Sequence, residues 1–80
     1  MPRYFFNIHD GIATPDPIGS EHIDLHTVRD EAVETIAERL KGRLLKGKDI
    51  SAWTLNVTNE SGLTVLILSL SAAVQIIQPD

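Results

Sequence analysis

A long helical pattern in the middle of the chain is the strongest constraint on its fold. After Asp24, apolar side chains recur at steps of three and four residues, which is the spacing of one helix face. Those positions are Leu25, Val28, Ala32, Ile36, Leu40 and Leu44. The Asp24 carboxylate is suited to cap the first turn, and Gly47 is suited to end the helix. The sequence therefore predicts one long helix whose apolar face is wide enough to cover a sheet.

Strand patterns flank this helix on both sides. Side chains alternate in character over residues 3–10 before the helix and over residues 52–58 and 63–70 after it. Residues 12–19 are rich in proline and glycine, which predicts an irregular loop, and residues 20–23 could form a short second strand. The predicted fold is therefore α+β, with the order ββαββ and an antiparallel sheet that carries one long helix on one face. The order of the strands within the sheet stays open.

The two C-terminal strands are predicted to form a hairpin. Residues 59–62 read Asn-Glu-Ser-Gly, a loop signal in which Gly62 takes the left-handed conformation. If Asn59 pairs with Leu63, the register along the strands follows: Val57 faces Val65, Leu55 faces Ile67 and Trp53 faces Ser69. The same register turns three leucines toward the sheet face that the helix does not cover: Leu66, Leu68 and Leu70.

Three leucines on an uncovered sheet face would form an apolar patch too large to leave in water. Residues 71–80 could fold back over this patch with Val74, Ile76 and Ile77, as a further strand, a short helix or frayed chain. Alternatively, a second subunit covers the patch, by sheet packing or by pairing of edge strands. Because so small a domain gains from extra burial, the sequence favours self-association.

The composition excludes several classes of protein. The chain has 80 residues and no cysteine, so we expect a single domain over residues 1–80, without disulfides or thiolate chemistry, in a reducing compartment such as the cytoplasm. The N-terminus does not have the segments of a signal peptide, and the longest apolar run, residues 65–68, is far too short to span a membrane. The net charge of −4 argues against general nucleic-acid binding.

A group of histidines and carboxylates near one end of the predicted fold is the candidate metal site: His9, Asp10, His22, Asp24 and His26. If residues 22–26 were extended, His22, Asp24 and His26 would share a face and could bind Zn²⁺. The helix instead requires Asp24 as its cap and His26 as its second residue, which breaks this geometry. We therefore interpret the group as solvated loop residues and a cap, and predict no metal site and no cofactor.

Five basic side chains lie close together at the end of the predicted helix. They are Arg39, Lys41, Arg43, Lys46 and Lys48. This group could bind phosphate, which makes a small nucleic-acid-associated regulator the first alternative function. No aromatic platform accompanies the basic residues, so complementarity to the helix dipole is the simpler interpretation.

The sequence carries no signature of catalysis. It contains no G-x-S-x-G, no P-loop and no dinucleotide-binding glycine pattern. We interpret Trp53 as a core or rim residue, and Glu31, Glu34 and Glu38 as a solvated helix edge. The expected function is that of a non-enzymatic cytoplasmic module that acts through a protein partner and self-associates. A metal-responsive binder that uses the acidic, histidine-bearing loop is a weaker alternative.

An ordered set of short motifs resembles one known family. The motifs are Pro2-Arg3-Tyr4-Phe5-Phe6, Asp10-Gly11, Asp16, Gly19, Asp24-Leu25, Arg29, Glu31-Ala32 and Asn59-Glu60-Ser61-Gly62. Together they resemble, over nearly the whole chain, an uncharacterised family of short alphaproteobacterial proteins that is carried as a domain of unknown function. Asn59 stands where that family more often has Asp. The resemblance implies a bacterial, cytoplasmic protein with a compact α+β fold, and it implies no activity, cofactor or catalytic residue.

Overall fold

The computed structural model describes residues 1–78 and contains the predicted helix. Helix α1 (Leu25–Leu45) begins at Asp24, whose Oδ1 accepts a 3.0 Å hydrogen bond from the backbone N–H of Thr27. After its last turn, Gly47 has a φ of +77°, the left-handed conformation that ends many helices. Within the described residues, no helix is both long and apolar enough to cross a membrane.

Five strands form one antiparallel sheet. They are β1 (Arg3–His9), β2 (Ala13–Thr14), β3 (Ser20–Glu21), β4 (Ile50–Thr58) and β5 (Thr64–Ala72). β4 lies between β1 and β5, while β2 and β3 pair with opposite ends of β1 along its other side. The N- and C-terminal hairpins therefore join through the β1–β4 pair, where Phe6 lies opposite Val57. The predicted α+β architecture is confirmed. The predicted second strand at residues 20–23 corresponds to β3, and β2 is an additional short strand within the segment predicted as an irregular loop.

The core lies between α1 and one face of the sheet. Its buried residues are Phe6, Ile8, Val28, Ala32, Ile36, Ile50, Trp53, Leu55 and Val57. Trp53 belongs to the core, as predicted, and the Arg43 guanidinium lies 5.6 Å from the centroid of its ring. Full burial of a large apolar side chain contributes about 1.5–3 kcal/mol. This one layer of contacts between helix and sheet is therefore the main source of stability.

The predicted register of the β4–β5 hairpin is correct at the loop and wrong beyond it. The Asn59 N–H donates a 2.9 Å hydrogen bond to Leu63 O, as the predicted three-residue loop requires. Val65 then adds one extra residue to β5, so Val57 lies opposite Leu66 rather than opposite Val65. Such a β-bulge shifts every later side chain of the strand to the other face.

The bulge turns the leucines of β5 toward the core. Leu66, Leu68 and Leu70 lie opposite Val57, Leu55 and Trp53 and pack against the core beneath α1. These leucines therefore do not form the apolar patch predicted for the other sheet face. That face carries Phe5 and Ile67 among mostly polar side chains, which include Asn7, Thr54, Asn56, Thr58, Thr64 and Ser69.

A second irregularity lies near the start of β4. Ala52 has a φ of +54°, and its N–H donates a 3.0 Å hydrogen bond to Ser71 Oγ. The pairing shifts between Ile50 and Trp53, so that Ala72 lies opposite Ile50. The even-numbered residues of β5 therefore stay on the core face up to the last residue of the strand.

Beyond Ala72 the chain leaves the sheet. Residues 73–78 form no regular secondary structure, so the predicted tail is a strand only in its first two residues. Val74, Ile76 and Ile77 are 65%, 84% and 80% exposed, and they do not cover the sheet. The last two positions of the predicted tail, residues 79 and 80, lie outside the described residues.

Candidate functional site

The most connected group of polar side chains lies where β3 meets the first turns of α1. Ser20 Oγ lies 2.8 and 3.0 Å from the two carboxylate oxygens of Glu31 and 3.2 Å from His22 Nε2. His22 Nε2 lies 2.8 Å from Glu31 Oε1, and His22 Nδ1 lies 2.9 Å from Thr27 Oγ1. The imidazole also packs near the Phe6 ring, with 5.8 Å between centroids. We call Ser20, His22, Thr27 and Glu31 the β3–α1 cluster.

The β3–α1 cluster has the residue types of a hydrolase triad, but its hydrogen bonds run in the wrong direction. An ionised carboxylate can only accept, so Ser20 Oγ and His22 Nε2 must both donate to Glu31. In a triad, the histidine nitrogen nearest the serine must be free to accept the serine proton. Here that nitrogen already carries a hydrogen that it donates to Glu31. These hydrogen bonds connect β3 to the first turns of α1.

Contrary to the prediction from the sequence, Glu31 is not part of a solvated helix edge. Glu34 and Glu38 are exposed, whereas Glu31 is half-buried and bonded to Ser20 and His22. The sequence gives no direct signal for this role, because it depends on β3 folding back beside the helix.

One carboxylate organises the loop between β2 and β3. Asp16 Oδ2 accepts a 3.1 Å hydrogen bond from the Phe6 N–H, and Oδ1 accepts from the N–H groups of Ile18 and Gly19, each at 3.0 Å. Burial acts to raise the pKa of Asp16, but these backbone hydrogen bonds and the charge of Arg3 outweigh it and hold the pKa below its usual value. Asp16 thereby supplies the partner that the Phe6 N–H would otherwise lack between β2 and β3.

Gly19 completes this loop because no other residue fits there. Its φ is +74°, and a Cβ at this position would lie 2.8 Å from Tyr4 O and 2.9 Å from two atoms of the Phe5 ring. The Asp16 and Gly19 motif thus has a structural explanation: the carboxylate fills a gap in the strand pairing, and the glycine lets the chain pass close to β1.

The candidate metal ligands do not come together. His22 belongs to the β3–α1 cluster and Asp24 caps α1, while Asp10 Oδ2 lies 3.1 Å from a guanidinium nitrogen of Arg39. The other two are exposed: His9 and His26. Across residues 1–78, no group of three or more histidine, cysteine, aspartate or glutamate side chains is placed to hold a metal ion.

The basic residues at the end of α1 are also separated. Arg39 pairs with Asp10 beside the β1–β2 turn, and Arg43 is half-buried with its guanidinium over the Trp53 ring. The lysines are exposed: Lys41, Lys46 and Lys48. The two arginines are therefore engaged within the fold, although the Arg39 side chain is also exposed, and the lysines carry the remaining exposed positive charge of this group.

The outer edge of β5 is open. β5 is the last strand in the sheet order, and its nine residues, TVLILSLSA, include no charged residue and no proline. Unpaired backbone groups on an edge strand are a template for another strand, and natural edges are usually protected by charge, proline or short length. β5 has none of these protections.

A groove of about 200 Å³ runs beside this edge, between α1 and β5. It is lined by Arg29, Ala32, Val33, Leu66, Ile67 and Leu68. Val33 is 41% exposed, and Leu66 and Leu68 on the strand side are half-buried, so aliphatic carbon reaches solvent on both walls. Val33 is the sequence signal for this groove, because it widens the apolar stripe of α1 beyond the core. We call the open edge and this groove together the β5 surface.

A family model described as a domain of unknown function, DUF6894, matches residues 3–71. The chain belongs to this family. The predicted resemblance to an uncharacterised family is thus confirmed at this level. The DUF6894 match extends from the first residue of β1 almost to the end of β5, and so includes the β3–α1 cluster and the β5 surface. Residues 73–78 lie beyond it. Comparisons with curated proteins and with solved structures give no match.

Proposed function

We propose that this DUF6894 domain is a non-enzymatic interaction module of the bacterial cytoplasm that self-associates through the β5 surface. The observation that carries the proposal is the open, uncharged edge of nine residues. A strand of this kind is self-complementary, because two copies related by a two-fold axis pair antiparallel with the same residues on both sides. The cysteine-free composition supports a reducing compartment.

The surface area of the chain supports association with a second copy. The accessible surface is 5815 Å², against about 4,800 Å² for a compact monomer of this mass. The excess is roughly 1,000 Å² per copy, whereas stable interfaces bury about 1,200–2,000 Å² in total from both partners. Two copies therefore have enough surplus surface to form a specific interface.

The β3–α1 cluster supports the non-enzymatic part of the proposal. Its serine hydroxyl donates to Glu31, and its histidine donates through the nitrogen that a triad would need as an acceptor. The most enzyme-like group of side chains in the described residues therefore stabilises the fold. This arrangement supports function through a surface rather than through catalysis.

Light scattering after size exclusion, over a dilution series, tests the proposal. From about 1 µM to about 1 mM protein, the series covers association free energies of roughly 4–8 kcal/mol. We expect the mass at the upper end to be twice the 8.8 kDa of one chain. A mass of one chain at every concentration would refute self-association.

A matched pair of variants assigns the interface. Ile67→Lys places a charge on the open edge at a side chain that is 63% exposed, so it blocks pairing with little effect on the fold. Ile12→Lys is the control, because Ile12 is 74% exposed and lies in the turn at the opposite side of the sheet. We expect Ile67→Lys to be monomeric and Ile12→Lys to associate as the natural chain does. Equal behaviour of the two variants would contradict the assignment to the β5 surface.

A further inference from the structure

The apolar alternation of β5 continues beyond the end of the strand. The even-numbered residues from Leu66 to Ala72 lie on the core face, and the sequence continues the pattern at Val74 and Ile76. Pairing stops at Ala72 because its partner, Ile50, is the first residue of β4. The chain therefore carries two further positions of an apolar strand face where its own sheet has no strand to pair with them.

Contacts within the chain leave these positions mostly uncovered. Val74 is 65% exposed and Ile76 is 84% exposed. The backbone N–H of Val74 donates a 3.3 Å hydrogen bond to Asp49 Oδ1, so an aspartate side chain takes the place of a neighbouring strand. The segment has no regular secondary structure and therefore no ladder of hydrogen bonds.

We infer that, in the self-associated form, residues 73–76 extend β5 and lie along β5 of the second copy, where Val74 covers the groove between α1 and β5. This inference rests on the proposed function. With the two-fold axis at Leu70, Val74 of one copy lies opposite Leu66 of the other. The bulge at Val65 then places Gln75 opposite Thr64 on the polar face, and Ile76 follows on the core side. Directly opposite residues share a sheet face, so Val74 reaches the core side, beside Val33 of the second copy.

The position of the axis follows from the length of chain that each register pairs. An axis at Leu68 carries the pairing no further than Ala72 and leaves residues 73–76 without a partner. An axis at Leu70 carries the pairing to residues 73–76 of both copies, which adds backbone hydrogen bonds and removes four aliphatic side chains from water. The longer register therefore uses the residues that the monomer leaves exposed.

Single cysteine variants locate the axis, because the natural chain has no cysteine. Opposite residues of an antiparallel ladder have Cα atoms about 4.5–5.5 Å apart, which suits a disulfide. With the axis at Leu70, Leu70→Cys oxidises to a covalent dimer. In that register the two copies of Leu68 lie about 13 Å apart along the strands, so Leu68→Cys, the matched control, does not cross-link.

The outcomes separate this inference from the proposed function. Cross-linking of Leu68→Cys instead of Leu70→Cys overturns the inference and leaves self-association in place. If the natural chain is dimeric by light scattering but Leu70→Cys does not cross-link, this inference is likewise overturned and self-association stands. If neither variant cross-links and the natural chain is monomeric, both proposals fail.

A second variant tests the tail without touching the core. Val74→Ser combined with Ile76→Ser should raise the dimer Kd about 100-fold or more, since four aliphatic side chains lose their burial in each dimer. The control is Ile18→Ser combined with Ile23→Ser, at side chains that are 73% and 74% exposed in the loops before α1. A tail variant with the Kd of its control would overturn the inference.

Discussion

Substitution of Asp16 by Asn tests whether one carboxylate holds the N-terminal half of the sheet together. The two side chains have nearly the same shape, so the change removes charge and replaces one acceptor with a donor. The amide oxygen can still accept from the N–H groups of Ile18 and Gly19. The amide nitrogen then faces the Phe6 N–H, which loses its acceptor.

The expected loss of stability follows from these three hydrogen bonds. A donor left without an acceptor costs about 1–3 kcal/mol, and each hydrogen bond that loses a charged acceptor is weakened by roughly 1 kcal/mol. Asp16 is half-buried, and solvent screening reduces the sum to about 2–3 kcal/mol. A chain of this length has a total stability of roughly 4–12 kcal/mol, so the variant should melt about 10–20 °C lower.

Urea unfolding at several pH values checks both the size and the cause. Because folding lowers the pKa of Asp16, its contribution is complete above its unfolded pKa near 4 and is lost as the pH falls through the lower folded value. Asp16→Asn should lack this part of the acid destabilisation. Protein concentration must be held fixed, since association shifts apparent stability.

Asp30→Asn, at an exposed position on α1, is the control for loss of a negative charge and should change stability by less than about 0.5 kcal/mol. If Asp16→Asn behaved like this control, or lost stability in acid as the natural chain does, the role assigned to the Asp16 hydrogen bonds would be wrong.

Three core and backbone substitutions give further checks by the same unfolding assay. Gly19→Ala should destabilise by about 2–4 kcal/mol, because its Cβ would lie 2.8 Å from Tyr4 O at a φ of +74°; a neutral effect would contradict the close approach. Ala52→Gly should stabilise by up to about 1 kcal/mol, because it relieves a φ of +54°, and a loss of stability would exclude that strain. Leu55→Ala should destabilise by about 2–5 kcal/mol, because Leu55 is fully buried; a loss below about 1 kcal/mol would place Leu55 outside the core.

The sequence predicted the elements well because each depends on local chemistry. The helix from Leu25, the cap at Asp24, the loop with Gly62 and the burial of Trp53 all depend on periodicity, one side-chain acceptor or one glycine. The short strand β2 was not predicted, because it lies in the proline- and glycine-rich segment read as a loop. The contact beyond it depends on Asp16, which reaches across the loop to β1.

The hairpin register could not be read from the strand pattern alone. β5 has apolar residues in both alternating sets, Val65 and Ile67 in one and the even-numbered leucines in the other. The loop fixes the pairing at Asn59, but a bulge at Val65 packs three half-buried leucines against the core, and each contributes part of the about 1.5–3 kcal/mol of full burial. The free energy gained by this burial exceeds the cost of losing one backbone pair in the strand ladder. Because the bulge changes which side chains of β5 face the core, the candidate interface is the edge and groove of β5 rather than the sheet face predicted from the sequence.

The two sides of the sheet differ in a way that limits how many copies can join. Opposite β5, the outer boundary consists of two strands of two residues each, separated by residues 15–19, which include Pro15, Asp16 and Pro17. Proline has no N–H to donate, and the Asp16 carboxylate occupies the Phe6 N–H from that side. Growth into a filament requires a pairing edge at both ends of the unit. Each copy has one such edge within its described residues, so association through β5, as proposed, would use that edge and end at two chains.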